Sequence, residues 1–99
     1  MGLTGKIEVL IKLYGPFLEA AGGGELKIGS PAPSSLKALL DLLRGFLGKK
    51  FEGLLIDGEG NLQDDVLLLL NNRVMSIRDL KTELKNGDEI SIIKLISGG

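Results

Sequence analysis

The chain begins with an alternation of apolar and polar residues that predicts its first strand. The apolar positions recur with a period of two, at Ile7, Val9, Ile11 and Leu13. This period is typical of a strand with one buried face, and Leu10 on the other face favours a central place in the sheet. Gly15-Pro16 ends the strand, after which Phe17 to Ala21 predict one helical turn. Glu25 to Ile28 predict a short second strand that returns beside the first.

A stripe of apolar residues with helical spacing marks the main helix. Its members fall at i, i+3, i+4, i+7, i+10 and i+11, and they are Leu36, Leu39, Leu40, Leu43, Phe46 and Leu47. Such a stripe is typical of a helix packed on a sheet, so we expect all six residues to be buried. Ser34 or Ser35 is a suitable N-cap, and the helix is expected to end near Gly48.

The middle of the chain gives shorter signals. Residues 49–53 predict an irregular stretch, and Leu54 to Ile56 a brief strand. Val66 to Leu70 is apolar throughout, which predicts a strand covered on both faces. A turn at 71–73 then leads into a brief return strand at Val74-Met75.

The last third of the chain ends in a strand. Ile77, Leu80 and Leu84 are expected to anchor a loop with little regular structure. Asn86-Gly87-Asp88 predicts a tight turn. The final strand is expected to run from Glu89 to Lys94 or Ile96.

This order of elements predicts an α+β fold. A hairpin followed by a crossover helix places the last strand beside the first, parallel to it, in a mixed sheet of about five strands with one main helix on one face. That architecture is the β-grasp, or ubiquitin-like, fold. We expect residues 1–5 to form a flexible leader, residues 6–96 a single domain, and residues 97–99 a flexible tail.

Composition narrows the function. Lys and Arg total 12 and Asp and Glu 13, for a net charge of −1, so no charge excess favours nucleic acid or anionic lipid. The longest apolar run, Val66 to Leu70, is far shorter than a membrane span. We therefore expect a cytoplasmic protein with no membrane and no direct nucleic-acid partner. The chain has no Cys and no His, which weighs against an independent hydrolase or metalloenzyme.

Two local motifs resemble ligand sites only in part. The segment Gly22-Gly23-Gly24 does not match a phosphate-binding loop between a strand and a helix, because no Lys-Ser or Lys-Thr comes after it. The acidic stretch from Asp57 to Asp65 offers spaced oxygen atoms, but a calcium loop would need Gly and Glu where Leu62 and Leu68 stand. We therefore expect neither a phosphate cradle nor a metal site.

The sequence closes with Ser97-Gly98-Gly99, directly after the last apolar run. In a chain with 15 Gly among 99 residues, two glycines at a given pair of positions are a coincidence of roughly 2%. Glycine lacks a Cβ, so such an end can thread a slot too narrow for side chains. The Gly99 carboxylate is the candidate reacting group.

Three stretches resemble one family. Leu13 to Gly22 resembles the first strand and loop of the small subunit of molybdopterin synthase (MoaD) and of related ThiS-type sulfur carriers. Leu84 to Ile90, followed by residues 97–99, resembles their closing segment, and residues 55–71 are similar in style. Two positions depart from the family pattern: Asn71-Asn72 stands where members commonly have Asn-Gly, and Lys94-Leu95 where they often have proline.

The resemblance implies a function for the tail. In this family an E1-like activating enzyme uses ATP to adenylate the terminal carboxylate, here that of Gly99, which is then converted to a thiocarboxylate. The carrier binds no cofactor and is not itself an enzyme. Its implied second partner is the large subunit of molybdopterin synthase, in molybdenum or tungsten cofactor synthesis. The alternatives are sulfur donation for tRNA thiolation or thiamine thiazole, a protein modifier attached through Gly99, and a β-grasp interaction domain whose glycines are inert.

Partner docking is expected at the base of the tail. Ser97 and Gly98 would thread into the partner, while Ile93, Lys94 and Leu95 would touch its surface. Ile93 and Leu95 are expected on the face opposite Ile90 and Ile92, unless they are covered within this chain. From residue 94 to 99 the chain reaches roughly 20 Å when extended, enough for the body to dock outside a buried site.

Overall fold

The computed structural model describes residues 7–29 and 34–95. Among these residues lie five strands: β1 (Val9–Leu13), β2 (Glu25–Ile28), β3 (Val66–Leu70), β4 (Arg73–Met75) and β5 (Glu89–Lys94). They form one mixed sheet in the order β2-β1-β5-β3-β4. The helices are α1 (Pro16–Ala21), α2 (Leu36–Leu47) and α3 (Lys49–Leu55), with a 3₁₀ turn at Ile77–Asp79. The predicted α+β class and β-grasp architecture are confirmed.

The strand pairing places the last strand at the centre of the sheet. β1 pairs antiparallel with β2 and parallel with β5, where Ile11 lies opposite Ile90. β5 pairs antiparallel with β3 over five residue pairs, from Val66 opposite Lys94 to Leu70 opposite Ile90. The predicted parallel pairing of first and last strands is therefore confirmed, and β1 has the central position that Leu10 indicated.

The helices cover one face of the sheet and enclose the core. The alternation in β1 gives three fully buried residues facing the helices. The Phe17 and Phe51 rings pack with centroids 5.1 Å apart at 57°, which is within the favourable range for tilted aromatic pairs. The largest fully buried side chains are Phe17, Phe51, Ile11, Leu13, Leu36, Leu39, Leu43, Leu55, Leu68, Ile90, Ile92 and Val9.

The main helix has the expected caps but a narrower buried stripe. The Ser35 hydroxyl accepts a hydrogen bond from the Ala38 amide at 3.1 Å, and Gly48 ends the helix with φ of 91°. The prediction that Phe46 is buried is wrong, because its side chain is 67% exposed. At about 100° per residue, Phe46 lies about 80° around the helix axis from Leu36, at the margin of the stripe.

The segment after α2 is helical, so the predicted irregular stretch and strand at 54–56 are wrong. Phe51 and Leu55 are four residues apart and both fully buried, which is the helical spacing that the prediction missed. Gly48 separates the two helices. Ile56 makes only an isolated bridge with Leu62.

The chain after β3 follows the prediction in its turns and in two of its three anchors, since Leu84 is in the core and Leu80 packs against it. Asn71 and Asn72 have φ of 51° and 70°, as a two-residue hairpin turn of type I′ requires. The turn thus forms without the Asn-Gly of the family pattern. Leu84 is buried as expected, whereas Ile77 is exposed because it begins a 3₁₀ turn on the surface.

Candidate functional site

Within residues 7–29 and 34–95, no helix covers the second face of the sheet, which we call the open face, and one half of that face is apolar. Leu67 lies directly opposite Ile93 in the β3–β5 pairing, and Leu69 lies opposite Val74 in the β3–β4 pairing. We call these four residues the apolar patch. Leu67, Leu69 and Ile93 are half-buried, and Val74 is 68% exposed. The prediction that β3 is covered on both faces is therefore wrong for this face.

The other half of the open face is charged. Lys12 lies opposite Ser91 and Glu25, and Leu10 lies opposite Glu89 and Lys27. The Lys12 ammonium is 3.1 Å from the Glu89 carboxylate. A hydrogen bond from Lys12 to Glu89, together with the charge of that carboxylate, raises the pKa of Lys12 above its ordinary value. The apolar patch therefore lies between a charged region and the edge of the sheet.

The end of β5 lies beside the apolar patch and remains paired through its last residue. Lys94 lies opposite Val66, and the Leu95 amide donates a hydrogen bond of 2.6 Å to the Asp65 carbonyl. A proline at 95 would have no N–H for this bond. Backbone hydrogen bonding at the end of β5 therefore continues as far as Leu95.

The Lys94 side chain lies on its own chain. Its ammonium donates a hydrogen bond of 2.7 Å to the Leu54 carbonyl at the end of α3 and lies 2.7 Å from Asp65 Oδ1. Only 13% of the side chain is exposed. Asp65 Oδ1 is buried and accepts no well-aligned hydrogen bond from the described residues, so the ammonium is its charge partner. We call Lys94, Asp65 and the Leu54 carbonyl the tail clamp.

The three predicted docking residues are thus separated by the structure. Ile93 lies in the apolar patch, on the face opposite the buried Ile90 and Ile92 as expected. Leu95 follows the strand and is 50% exposed. Lys94 points to the helix side instead. Described residues cover neither Ile93 nor Leu95 completely, and docking through these positions stays a prediction.

The predicted reacting end lies outside the described residues. This applies to Ser97, Gly98 and Gly99, and also to the expected leader at 1–5. Their proposed roles stay predictions.

Sequence reasoning missed the residues that surround the tail base. Asp65 was treated only as a possible metal ligand, and Leu67, Leu69 and Val74 as buried or short-strand residues. The register of β3 against β5 brings Asp65 and Leu67 beside the end of β5, while Leu69 lies opposite Ser91 and next to Val74 on β4. The sequence signal that could have found the clamp is an acidic residue immediately before one strand that faces a lysine at the end of another. This signal can be used only when the register of the two strands is known.

The acidic loop has a local structural role. Asp57 Oδ1 accepts hydrogen bonds from the amides of Glu59 and Asn61, at 2.8 and 3.0 Å, which is the Asx-turn arrangement. Within residues 7–29 and 34–95, no three His, Cys, Asp or Glu side chains are grouped so as to hold a metal ion. In the same residues, no helix has the length and apolar character needed to cross a membrane.

Comparison with known proteins gives a family match over most of the chain. The model of the ThiS family matches residues 11–99. A search of curated protein sequences found no match.

Solved structures share the fold. Small archaeal modifier protein 1 (SAMP1) from Methanosarcina acetivorans is 27% identical with a TM-score of 0.77, over 95% of this chain and 98% of that one. SAMP1 from Haloferax volcanii is 24% identical with a TM-score of 0.79, over 93% and 99% of the two chains. A complex of subunits 1 and 2 of the molybdopterin-converting factor from Helicobacter pylori contains a chain that is 23% identical with a TM-score of 0.61, over 94% and 100%.

Proposed function

Because the chain belongs to the ThiS family, we propose that it is a sulfur carrier whose Gly99 carboxylate is adenylated and then converted to a thiocarboxylate. The proposed destination of the sulfur is molybdopterin, in molybdenum or tungsten cofactor synthesis. The fold is that of ubiquitin-like sulfur carriers and modifiers. Since the activation consumes ATP, the proposed setting is the cytoplasm.

The proposed chemistry needs an activated carboxyl group. A carboxylate oxygen of Gly99 attacks the α-phosphorus of ATP, and pyrophosphate leaves. Hydrosulfide supplied by the partner system then attacks the acyl carbon and displaces AMP, which leaves the thiocarboxylate. The carrier contributes the carboxylate, while the partners supply catalytic groups and ATP, and the carrier itself binds no cofactor. This division suits a chain without Cys or His.

The observation that carries the proposal is the apolar patch beside the end of β5. Exposed apolar surface can mark an interaction site, and the described residues leave this patch partly exposed. A partner bound to Ile93 and Leu67 would lie next to Leu95, from which four residues lead to Gly99. Those residues span roughly 13 Å when extended, so the partner could bind the body and still receive the terminus in a recessed site.

Two partners follow from the proposal. The first is an E1-like activating enzyme that adenylates Gly99. The second is the large subunit of molybdopterin synthase, and the two-subunit Helicobacter pylori complex supports a partner of that kind. We propose no direct contact with nucleic acid or membrane.

A second candidate function is protein modification. The similarity to small archaeal modifier protein 1 at 27% identity favours it. In that case a lysine amine, rather than a sulfur nucleophile, would attack the activated Gly99 and form an amide.

Intact-mass spectrometry of the protein from its native host tests the proposal. If the protein is a carrier, a fraction of its molecules has a mass raised by the replacement of one oxygen atom with sulfur. That replacement is located in the C-terminal peptide. A modifier shows higher-mass conjugates instead. Cofactor synthesis in a host lacking the gene should be restored by the full chain.

Two variants serve as comparisons. Deleting Gly98-Gly99, or adding one alanine after Gly99, should abolish both the sulfur form and restoration while leaving the unfolding midpoint unchanged. If the truncated chain restores cofactor synthesis fully, the proposal is wrong and the interaction-domain alternative is favoured.

A further inference from the structure

We propose that Lys94 is a positioning residue for the tail. Together with Asp65 and the Leu54 carbonyl it fixes the point and direction in which the chain leaves the body toward Gly99. This inference rests on the proposed function, because it concerns delivery of the Gly99 carboxylate to an activating enzyme.

The end of β5 is held on two sides. On the β3 side, the Leu95 amide donates to the Asp65 carbonyl at 2.6 Å. On the helix side, the Lys94 ammonium binds the Leu54 carbonyl and the Asp65 carboxylate, each at 2.7 Å. Asp65 therefore holds the strand end twice, once through its backbone and once through its side chain.

The clamp differs from an ordinary surface ion pair. Exposed pairs contribute little because water screens them, and the Lys37–Asp41 pair on α2, at 2.8 Å with a 64% exposed lysine, is of that kind. The Lys94 side chain is largely buried, and the Asp65 oxygen beside it is buried as well. The Asp65 side chain as a whole is 48% exposed, so the buried charge is that of Lys94, and removing the Asp65 carboxylate would leave that ammonium buried without its partner. The Lys94 ammonium also lies at the carbonyl end of α3, where a cation is favoured.

The position of the clamp determines how many residues lie between the last paired residue and Gly99. With Leu95 fixed, four residues separate the body from the reacting carboxylate. If the clamp opens, β5 can fray and each released residue adds roughly 3.3 Å of reach and further conformers. A partner bound to the apolar patch would then meet the carboxylate in its site less often, although the patch itself is unchanged.

Hydrogen exchange measured by NMR tests the clamp without any partner. Lys94→Met keeps the aliphatic stem and removes the charge, so the Leu95 amide should exchange about tenfold faster or more. Lys94→Arg should restore most of the protection, and Lys37→Met, which breaks the exposed pair on α2, should leave this amide unchanged. Unaltered Leu95 exchange in Lys94→Met would overturn the proposal.

Adenylation kinetics with the host's activating enzyme and ATP test the positioning role. For Lys94→Met we expect kcat to fall roughly 10-fold to 100-fold, with KM for the carrier little changed and with rescue by Lys94→Arg. A merely structural role would leave kcat of the folded protein as in the wild type. If the wild type is adenylated and Lys94→Met reacts equally fast, the inference is wrong and the proposed function stands. If the wild type is not adenylated, the proposed function fails and the delivery role fails with it.

Discussion

The two faces of the sheet differ most clearly at neighbouring residues of β5. Ile92 points toward the helices and is fully buried, whereas Ile93 points the other way and is half-buried. The two residues have the same side chain and the same strand geometry. Their environments differ because α1, α2 and α3 cover only one face.

This difference separates the face that stabilises the fold from the face that we propose for partner recognition. On the helix side, Ile92 lies beside Leu13 and Leu68 in a continuous core. On the open side, Ile93 and Leu67 form apolar surface that the described chain leaves partly exposed. The core face therefore provides stability, and the open face is available to a partner.

The largest expected effect comes from truncating the two isoleucines in parallel. Ile92→Ala should lower the free energy of unfolding by about 2–5 kcal/mol, because it leaves a cavity in the core. Ile93→Ala should cost less than about 1.5 kcal/mol, because that side chain is already partly exposed to water and loses less buried apolar area. Urea unfolding of both variants gives the comparison. Equal losses would contradict the assignment of stability to one face.

A smaller loss of stability is expected at the turn between β3 and β4. This turn matters to both faces because β3 supplies residues to each of them. The Asn71 side-chain Nδ2 donates to Asp88 Oδ1, and Asn71 Oδ1 accepts from the Glu89 backbone amide, both at 2.9 Å. Asp88 is buried, so Asn71→Ala should cost about 1–3 kcal/mol of stability. Asn71→Gly is the matched control, since it relieves the positive φ but also lacks the two hydrogen bonds. Thermal unfolding that leaves Asn71→Ala as stable as the wild type would show that the bonds contribute nothing.

Substitutions on the open face should weaken partner binding more than they lower the stability of the fold. Ile93→Thr keeps the β-branched shape that suits a strand and removes apolar surface from the patch. We expect about tenfold weaker binding to the activating enzyme, or about 1.4 kcal/mol. Isothermal titration of the variant checks this, with Lys27→Thr on the charged half as a control that should bind normally. The docking surface would have to lie elsewhere if only the control bound weakly.

The smallest effect is expected for the Lys12–Glu89 pair on the charged half. Glu89 raises the pKa of Lys12 above 10.5, so the pair's contribution is present below the unfolded-state pKa and is lost as pH rises through the folded-state pKa. Glu89→Gln should therefore narrow the difference between neutral and strongly alkaline unfolding midpoints. Midpoints measured from neutral pH to above 10.5 provide the test, and an unchanged alkaline slope would rule out this pair as its source.

Local patterns in the sequence determined most of the elements. The period-two alternation predicted β1, the apolar stripe and Ser35 predicted α2, and the asparagines at 71 and 72 allowed a turn with positive φ. These signals are local because alternation, caps and turns depend on residues only a few positions apart. The α3 helix was missed because its two buried residues, Phe51 and Leu55, are too few to show a period.

The surroundings of the tail base were decided only by the tertiary structure. The sequence predicted Gly99 as the reacting group and Ile93, Lys94 and Leu95 as docking residues, and these roles stay predictions. It could not indicate that Lys94 would bind Asp65 and the Leu54 carbonyl, or that Leu67 would lie opposite Ile93. Those contacts depend on strand register, and a shift of one residue would exchange the two faces. Burial of Ile90 and Ile92 beneath the helices fixes that register, and with it the position of Lys94.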